Sequence, residues 1–297
     1  MSARAATGIG FISILLWSQL AVLTTLTGGI PPLQMVAMSF MLAGAIGLVY
    51  LLRSKNGWRS LLATPPGAWA LGVSGLFGFH LFFFLALRTA PAVEASLIIY
   101  LWPLLIVLFS AALPKNDDGA GLKWWHIMGA ALGLAGTVII VTGDNDSSLI
   151  PGGGSIPWLG YGAALAAALS WSSYSVANRR FANVPTTSVA GFCLVTAIAA
   201  TLAHLNLETT LWPASMSEWL AVAALGLGPV GSAFYFWDFG VKHGDIRVLG
   251  AAAYTAPLLS TISLVAFGLA TATPSLWAAC TFITIGAALA AKDMLLP

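Results

Sequence analysis

The chain has 297 residues, 59% of them hydrophobic and only 7% charged, with a formal net charge of +2. A soluble domain carries roughly 25% charged residues, so the composition excludes a soluble globular enzyme. So small a net charge gives no footing for nucleic acid.

Crossing the hydrocarbon core takes ~20 apolar residues, and ten stretches are read as spans. The first, 8–26, follows Arg4 and could pass for a signal peptide; it contains Trp17-Ser18. The second is 33–52. The third, 69–87, contributes Phe79, His80, Phe82, Phe83 and Phe84 near mid-membrane. The fourth, 93–113, has Glu94 near one end and Tyr100-x-Trp102-Pro103 within it; the fifth is 124–142. A polar stretch, Asp144–Ile156, contains Pro151-Gly152-Gly153-Gly154. It reads as a linker, since the Lys-Ser/Thr that would complete a phosphate-binding loop is absent. The sixth span, 157–177, carries Trp171-Ser172, and the seventh is 187–205. The eighth, 218–240, carries Trp237 and Asp238; the ninth, 246–269, carries Tyr254-x-x-Pro257; the tenth is 274–291.

The chain repeats itself. The offset that carries Tyr100-x-x-Pro103-Leu104-Leu105 onto Tyr254-x-x-Pro257-Leu258-Leu259 also carries Trp17-Ser18 onto Trp171-Ser172 and Leu87-Arg88 onto Val241-Lys242. A slightly shifted copy pairs Gly129-Ala130-Ala131-Leu132 with Gly286-Ala287-Ala288-Leu289. The expected organisation is a five-helix repeat over 1–145, a linker over 146–156 and a second five-helix repeat over 157–297. Five is odd, so the copies enter the membrane from opposite faces. The fold class is therefore an all-α membrane protein, with ten transmembrane helices as two five-helix inverted-topology repeats. Pairing of the first span with the sixth argues that the first is retained.

Lys and Arg are held on the cytoplasmic side during insertion. Of the twelve in the chain, all but Arg88 fall on the side of the termini when ten spans are threaded. Both termini are expected in the cytoplasm.

Candidate site residues follow from depth and from the repeat. Trp58, Trp69, Trp124, Trp125, Trp158, Trp212, Trp219 and Trp277 lie near span ends, where indole anchors at the interface. Trp17, Trp102, Trp171 and Trp237 lie deeper, where an indole N–H needs a partner; facing protein or a wet cavity suits them better than lipid. His80 is costly inside a span and is expected to face the bundle interior, with Phe79 and Phe83 beside it. Pro103 and Pro257 each remove a backbone donor, and Tyr100 and Tyr254 precede them by one turn. Paired interruptions in the two halves point to a transporter's binding site. For each of these residues plain helix packing is the competing explanation. Asp238 and Glu94 lie near opposite membrane ends, where solvation or helix capping would account for them.

No other chemistry is supported. Cys193 and Cys280 stand alone, the four histidines form no metal motif and no metal or other cofactor is expected, and there is no nucleophile elbow. Small-residue runs such as Gly129-x-x-x-Gly133 suit close helix packing. The oligomeric state is open, and a monomer suffices for a pathway.

Ten spans in two inverted repeats, with Ala86-Leu87-Arg88 through Tyr100-x-x-Pro103, resemble the EamA-type branch of the drug/metabolite transporter superfamily over essentially the whole chain. Leu16-Trp17-Ser18, Tyr100-Leu101-Trp102-Pro103, Gly143-Asp144-Asn145 and Tyr254-x-x-Pro257-x-Leu259-Ser260 narrow the resemblance to aromatic amino-acid exporters. It implies a helical basket in the bacterial inner membrane. It also implies a central cavity that exports aromatic or other apolar amino acids by alternating access. A multidrug or cationic-amphiphile exporter, run as a proton antiporter, is the alternative. Partners are then a small-molecule substrate and the bilayer. His80 matches no motif of the family. It is read as a polar wall, with transport running down the substrate gradient.

Overall fold

In the computed structural model, residues 1–53, 57–90, 95, 98–110, 123–143, 157–268, 274–290 and 292 are described. Among them, regular structure is helical throughout. In chain order the helices are α1 (Ala3–Trp17), α2 (Leu20–Leu26), α3 (Pro32–Arg53), α4 (Gly57–Leu62) and α5 (Pro66–Thr89). Then come α6 (Trp102–Ser110), α7 (Trp124–Gly143), α8 (Pro157–Ala177), α9 (Val189–Leu207) and α10 (Met216–Leu227). A π-helical turn, Gly228–Ser232, leads into α11 (Ala233–His243), followed by α12 (Ile246–Ala252), α13 (Thr255–Ala266) and α14 (Pro274–Ala290). Two short 3₁₀ turns, Asn178–Phe181 and Thr186–Ser188, join α8 to α9.

Among the described residues, five stretches are long and apolar enough to cross a membrane: Ala3–Thr24, Pro32–Arg53, Pro66–Ala86, Thr186–Leu207 and Met216–His243. The chain is a multi-pass all-α membrane protein. Glu94 and the linker at 146–156 lie outside the described residues.

Local sequence explains where helices begin. Proline opens α3, α5, α8 and α14, at the position where its missing N–H costs nothing and its fixed φ suits the helix. Ser215 and Glu218 form a reciprocal cap on α10. The serine hydroxyl accepts from the Glu218 amide, and the Glu218 carboxylate accepts from the Ala214 amide at 2.6 Å. Glu208, at the end of α9, caps another helix: its carboxylate accepts from the Leu33 and Gln34 amides at the start of α3.

Two expected spans are broken rather than continuous. The first stops after Trp17 and resumes at Leu20. Gln19 at the break donates to the hydroxyls of Ser18 and Ser263, both at 3.0 Å, tying the step to α13. The ninth divides between α12 and α13. Both matched interruptions fall just before the prolines. The chain turns at 100–101 and at 253–254, and Pro103 and Pro257 sit in the first turn of α6 and α13. A proline so placed displaces no carbonyl of its own helix, so the turn before it takes up the change of direction.

The main helix pairs are α1 with α11, α3 with α9, α5 with α8 and α7 with α14. The α1–α11 crossing is close because glycines meet there: a Cβ on Gly240 would lie 2.5 Å from the Gly10 Cα. Side-chain bonds fix its register, since Ser13 donates to the Ala233 carbonyl at 2.8 Å. Tyr235 does the same for α3, donating to the Ala43 carbonyl at 3.0 Å.

Between α11 and α12, Asp245 caps α12 by accepting from the Arg247 and Val248 amides, and it pairs with the Arg247 guanidinium at 3.1 Å. Burial pushes this carboxyl upward, but the Arg247 hydrogen bonds and charge, with the two backbone donors, hold it below its ordinary 3.8. A depressed carboxyl stabilises the fold above its unfolded value and loses that contribution as pH falls through the folded one. Asp245→Asn, which still caps, is expected to lower the thermal midpoint at pH 7 by the equivalent of ~0.3–1 kcal/mol. The gap from wild type should close as pH falls below 3.8 in melts of the detergent-solubilised protein. A gap constant across pH would show that the charge contributes nothing.

Candidate functional site

The four deep tryptophans come from four different helices and meet at one place. Trp17 ends α1 at its break, Trp102 opens α6 after the turn, and Trp171 and Trp237 lie within α8 and α11. Every pair is in ring contact. Trp17 lies 5.1 Å from Trp237, 5.5 Å from Trp171 and 6.2 Å from Trp102. Trp102 lies 6.4 Å from Trp171 and 6.0 Å from Trp237, and Trp171 stacks on Trp237 at 6.1 Å. Most contacts are edge-to-face, the geometry the aromatic quadrupole favours. Trp237 is wholly buried, Trp171 and Trp102 nearly so, and Trp17 half-buried.

Two of the four indole N–H groups have interhelical acceptors. Trp17 donates to the Pro229 carbonyl in the π-turn at 3.0 Å, and Trp237 to the Ser175 hydroxyl at 2.9 Å. A π-turn displaces carbonyls from the regular ladder, which is why Pro229 can accept from another helix.

Further aromatic rings extend the cluster. Phe79 meets Trp171 at 5.5 Å and Phe83 at 5.7 Å. Phe234 meets Trp17 and Trp171 and stacks on Phe40 at 5.3 Å. His80 stands edge-on to Phe40 and Phe79, at 5.0 and 5.2 Å. Its Nδ1 lies 2.7 Å from the Leu76 carbonyl, an acceptor only, so Nδ1 carries the hydrogen. In the neutral ring Nε2 is then left as an acceptor inside the bundle.

Tyr100 and Tyr254 fall outside this cluster among the described ring contacts. Tyr254 is wholly buried; a Cβ on Gly133 would lie 2.5 Å from its ring, and its hydroxyl accepts from the Leu104 amide at 3.2 Å. That bond joins the helix start holding Pro103 to the turn before Pro257, so the two interruptions do adjoin each other. The Pro257 side chain lies outside the described side chains.

Two assignments change. Trp69, expected at the interface, packs inward edge-on to Phe192 at 5.2 Å, because Gly191 leaves room for its ring. Trp58, Trp124, Trp158, Trp212, Trp219 and Trp277 are exposed. Asp238, expected near solvent, is wholly buried and ion-paired with Lys242 at 2.9 Å, because the α8–α9 connection folds over this end of α11. Phe40 and Phe234 carried no sequence signal beyond being apolar. Asp238 and Lys242 did, as opposite charges four apart on one helix face.

The EamA-like transporter family model matches this chain twice, over residues 6–142 and 158–291. The chain belongs to that family and is a membrane transporter. It is 51% identical to the aromatic amino acid exporter YddG of Ancylobacter novellus, over 98% of both chains. It is 26% identical to the aromatic amino acid exporter YddG of Salmonella typhimurium, over 88% of each. A solved crystal structure overlays with a TM-score of 0.88 at 48% identity, covering 98% of this chain and 99% of that one.

If the indoles serve transport, trimming them should cut flux without removing the protein. Trp17→Phe and Trp171→Phe are each expected to lower export about tenfold, the loss of ~1.4 kcal/mol of aromatic contact. Membrane levels should hold, because phenylalanine retains most of the buried area. Trp277→Phe, at an exposed position, should stay near wild type in the same export assay. Equal losses at all three sites would mean that the cluster only packs the bundle.

Proposed function

We propose that this protein exports aromatic or other apolar amino acids from the cytoplasm by alternating access. In this reading it resides in a bacterial inner membrane with both termini inside. The observation that carries the reading is the meeting of four tryptophans, two from each half of the chain, at one point. Indole faces attract an ammonium by ~0.5–2 kcal/mol and offer an apolar slot to an aromatic side chain. The N–H groups of Trp102 and Trp171 are the donors we assign to the substrate carboxylate, and His80 Nε2 is an acceptor at the edge of the cluster.

Two inverted repeats are supported by the twofold family match and by the pairing of helices. Counting ten spans, α1–α11 joins the first to the eighth and α5–α8 the third to the sixth. Advancing each span by five exchanges these two pairs. The α3–α9 and α7–α14 pairs map onto themselves under the same operation. A pseudo-two-fold axis of this kind lets one bundle rock against the other around a fixed site.

The same indoles would accept a cationic amphiphile, so the test must separate the two cargoes. Purified protein in liposomes, with pH and sodium equal on both sides, should carry labelled phenylalanine down its gradient. Excess tryptophan should compete, and glutamate and lysine should not. Flux that appears only with an imposed proton gradient would replace this reading with antiport. Flux of organic cations without flux of amino acids would replace the substrate.

A further inference from the structure

Helix α11 carries three devices in succession. The π-turn Gly228–Ser232 lies just before it, Phe234 and Trp237 enter the aromatic cluster from its first half, and the Asp238–Lys242 pair closes its end. Among the described residues, the side chains that hydrogen-bond to the Asp238 carboxylate come from α11 itself or from the α8–α9 connection, and Tyr174 of α8 lies within its electrostatic reach. Asn178 Nδ2 donates to Oδ1 at 2.7 Å, Thr186 Oγ1 to Oδ2 at 2.7 Å, and Lys242 Nζ donates from one turn on. Lys242 also donates to the Val184 carbonyl at 3.0 Å. Arg179 fastens the same connection by donating to the carbonyls of Val241 and Gly244, at 3.1 and 2.8 Å.

The cluster and this pair are mechanically continuous. Trp237–Ser175 and Asp238–Asn178 are consecutive rungs from α11 to the end of α8 and to the turn that follows it. One element cannot move without disturbing both. A buried ion pair is weak grounds for stability, since apolar residues of like volume often hold a fold as well. A buried charge within a spanning region marks function more often than scaffolding. Beside these rungs the Tyr174 hydroxyl is buried without a protein partner, while its ring rests 5.3 Å from Trp171.

We propose that the Asp238–Lys242 pair is a latch. It holds the connection 178–188 over one mouth of the pathway, and its release, with α11 pivoting about Gly228–Ser232, opens the tryptophan cluster to that side. Both residues are positioning residues, acting through Trp237 and the connection rather than on the substrate. The inference rests on the transporter reading and deepens it. It does not depend on the cargo.

Cys193 is a built-in reporter. It is wholly buried near the start of α9, just beyond the connection the latch holds. In a Cys280→Ser background, alkylation of Cys193 by N-ethylmaleimide reports how often this end opens. Single variants Asp238→Asn and Lys242→Met each strand a partner and should accumulate poorly. The double variant removes both charges and should restore the amount of protein. For a latch, that restored protein alkylates about tenfold faster than the parent, and its flux stays low. For a purely structural pair, the double variant recovers protection and flux along with the amount, which would overturn the proposal. Thr186→Val removes one hydroxyl from the carboxylate without touching either charge, and serves if the double variant does not accumulate. It should speed alkylation about threefold, and an unchanged rate overturns the latch as well. Because alkylation needs no substrate, a protein exporting some other solute would still pass this test while failing the phenylalanine flux test.

Discussion

Hydrocarbon offers no water to an unpaired polar group, so polar groups are driven to find partners within the bundle. That constraint organises the whole molecule. Ser13 reaches the Ala233 carbonyl, Tyr235 that of Ala43, Trp17 that of Pro229, and Tyr254 takes the Leu104 amide. Each bond joins helices far apart in sequence and so fixes register where apolar packing alone would let helices slide. The glycine contact between α1 and α11 then brings Trp17 near Trp237, and the π-turn supplies the carbonyl that orients it.

The same constraint accounts for where the chain departs from regular helix. Interruptions occur after Trp17, before Trp102, at Gly228–Ser232 and around Tyr254. Three of the four lie against the aromatic cluster, and Gln19 links the first to α13. Irregular backbone at membrane depth is tolerated where it is buried in protein or lines a cavity. A transporter concentrates its irregularities at the site because the site is where its helices must change their relations.

Much of this was legible in the sequence, for reasons that differ by residue. Trp17 and Trp171 announce themselves through the repeat, since one offset relates both tryptophans and the serines that follow. Trp102 and Trp237 are found by depth, because an indole far from either interface needs a protein environment. What was not legible depends on tertiary context. A proline in an apolar run reads equally as a kink or as a helix start, and only the preceding turn decides. Asp238 looks solvated when counted by position along its span, since a linear count does not register a connection folding over the helix end. Trp69 reads as an anchor until Gly191 opens room for it on a neighbouring helix. Phe40 has no periodic or repeated partner and enters the cluster only through the approach of α3 to α11.

The central claim is that the four indoles form the place where cargo sits. The most direct measurement is a structure of the protein in lipid with phenylalanine or tryptophan bound. The account predicts ligand density against at least two of Trp17, Trp102, Trp171 and Trp237, with those rings displaced from their present mutual contacts. Density confined to the groove between α5 and α8 beside Ser74, Ser170 and Ser173, with the tryptophan contacts unchanged, would contradict it.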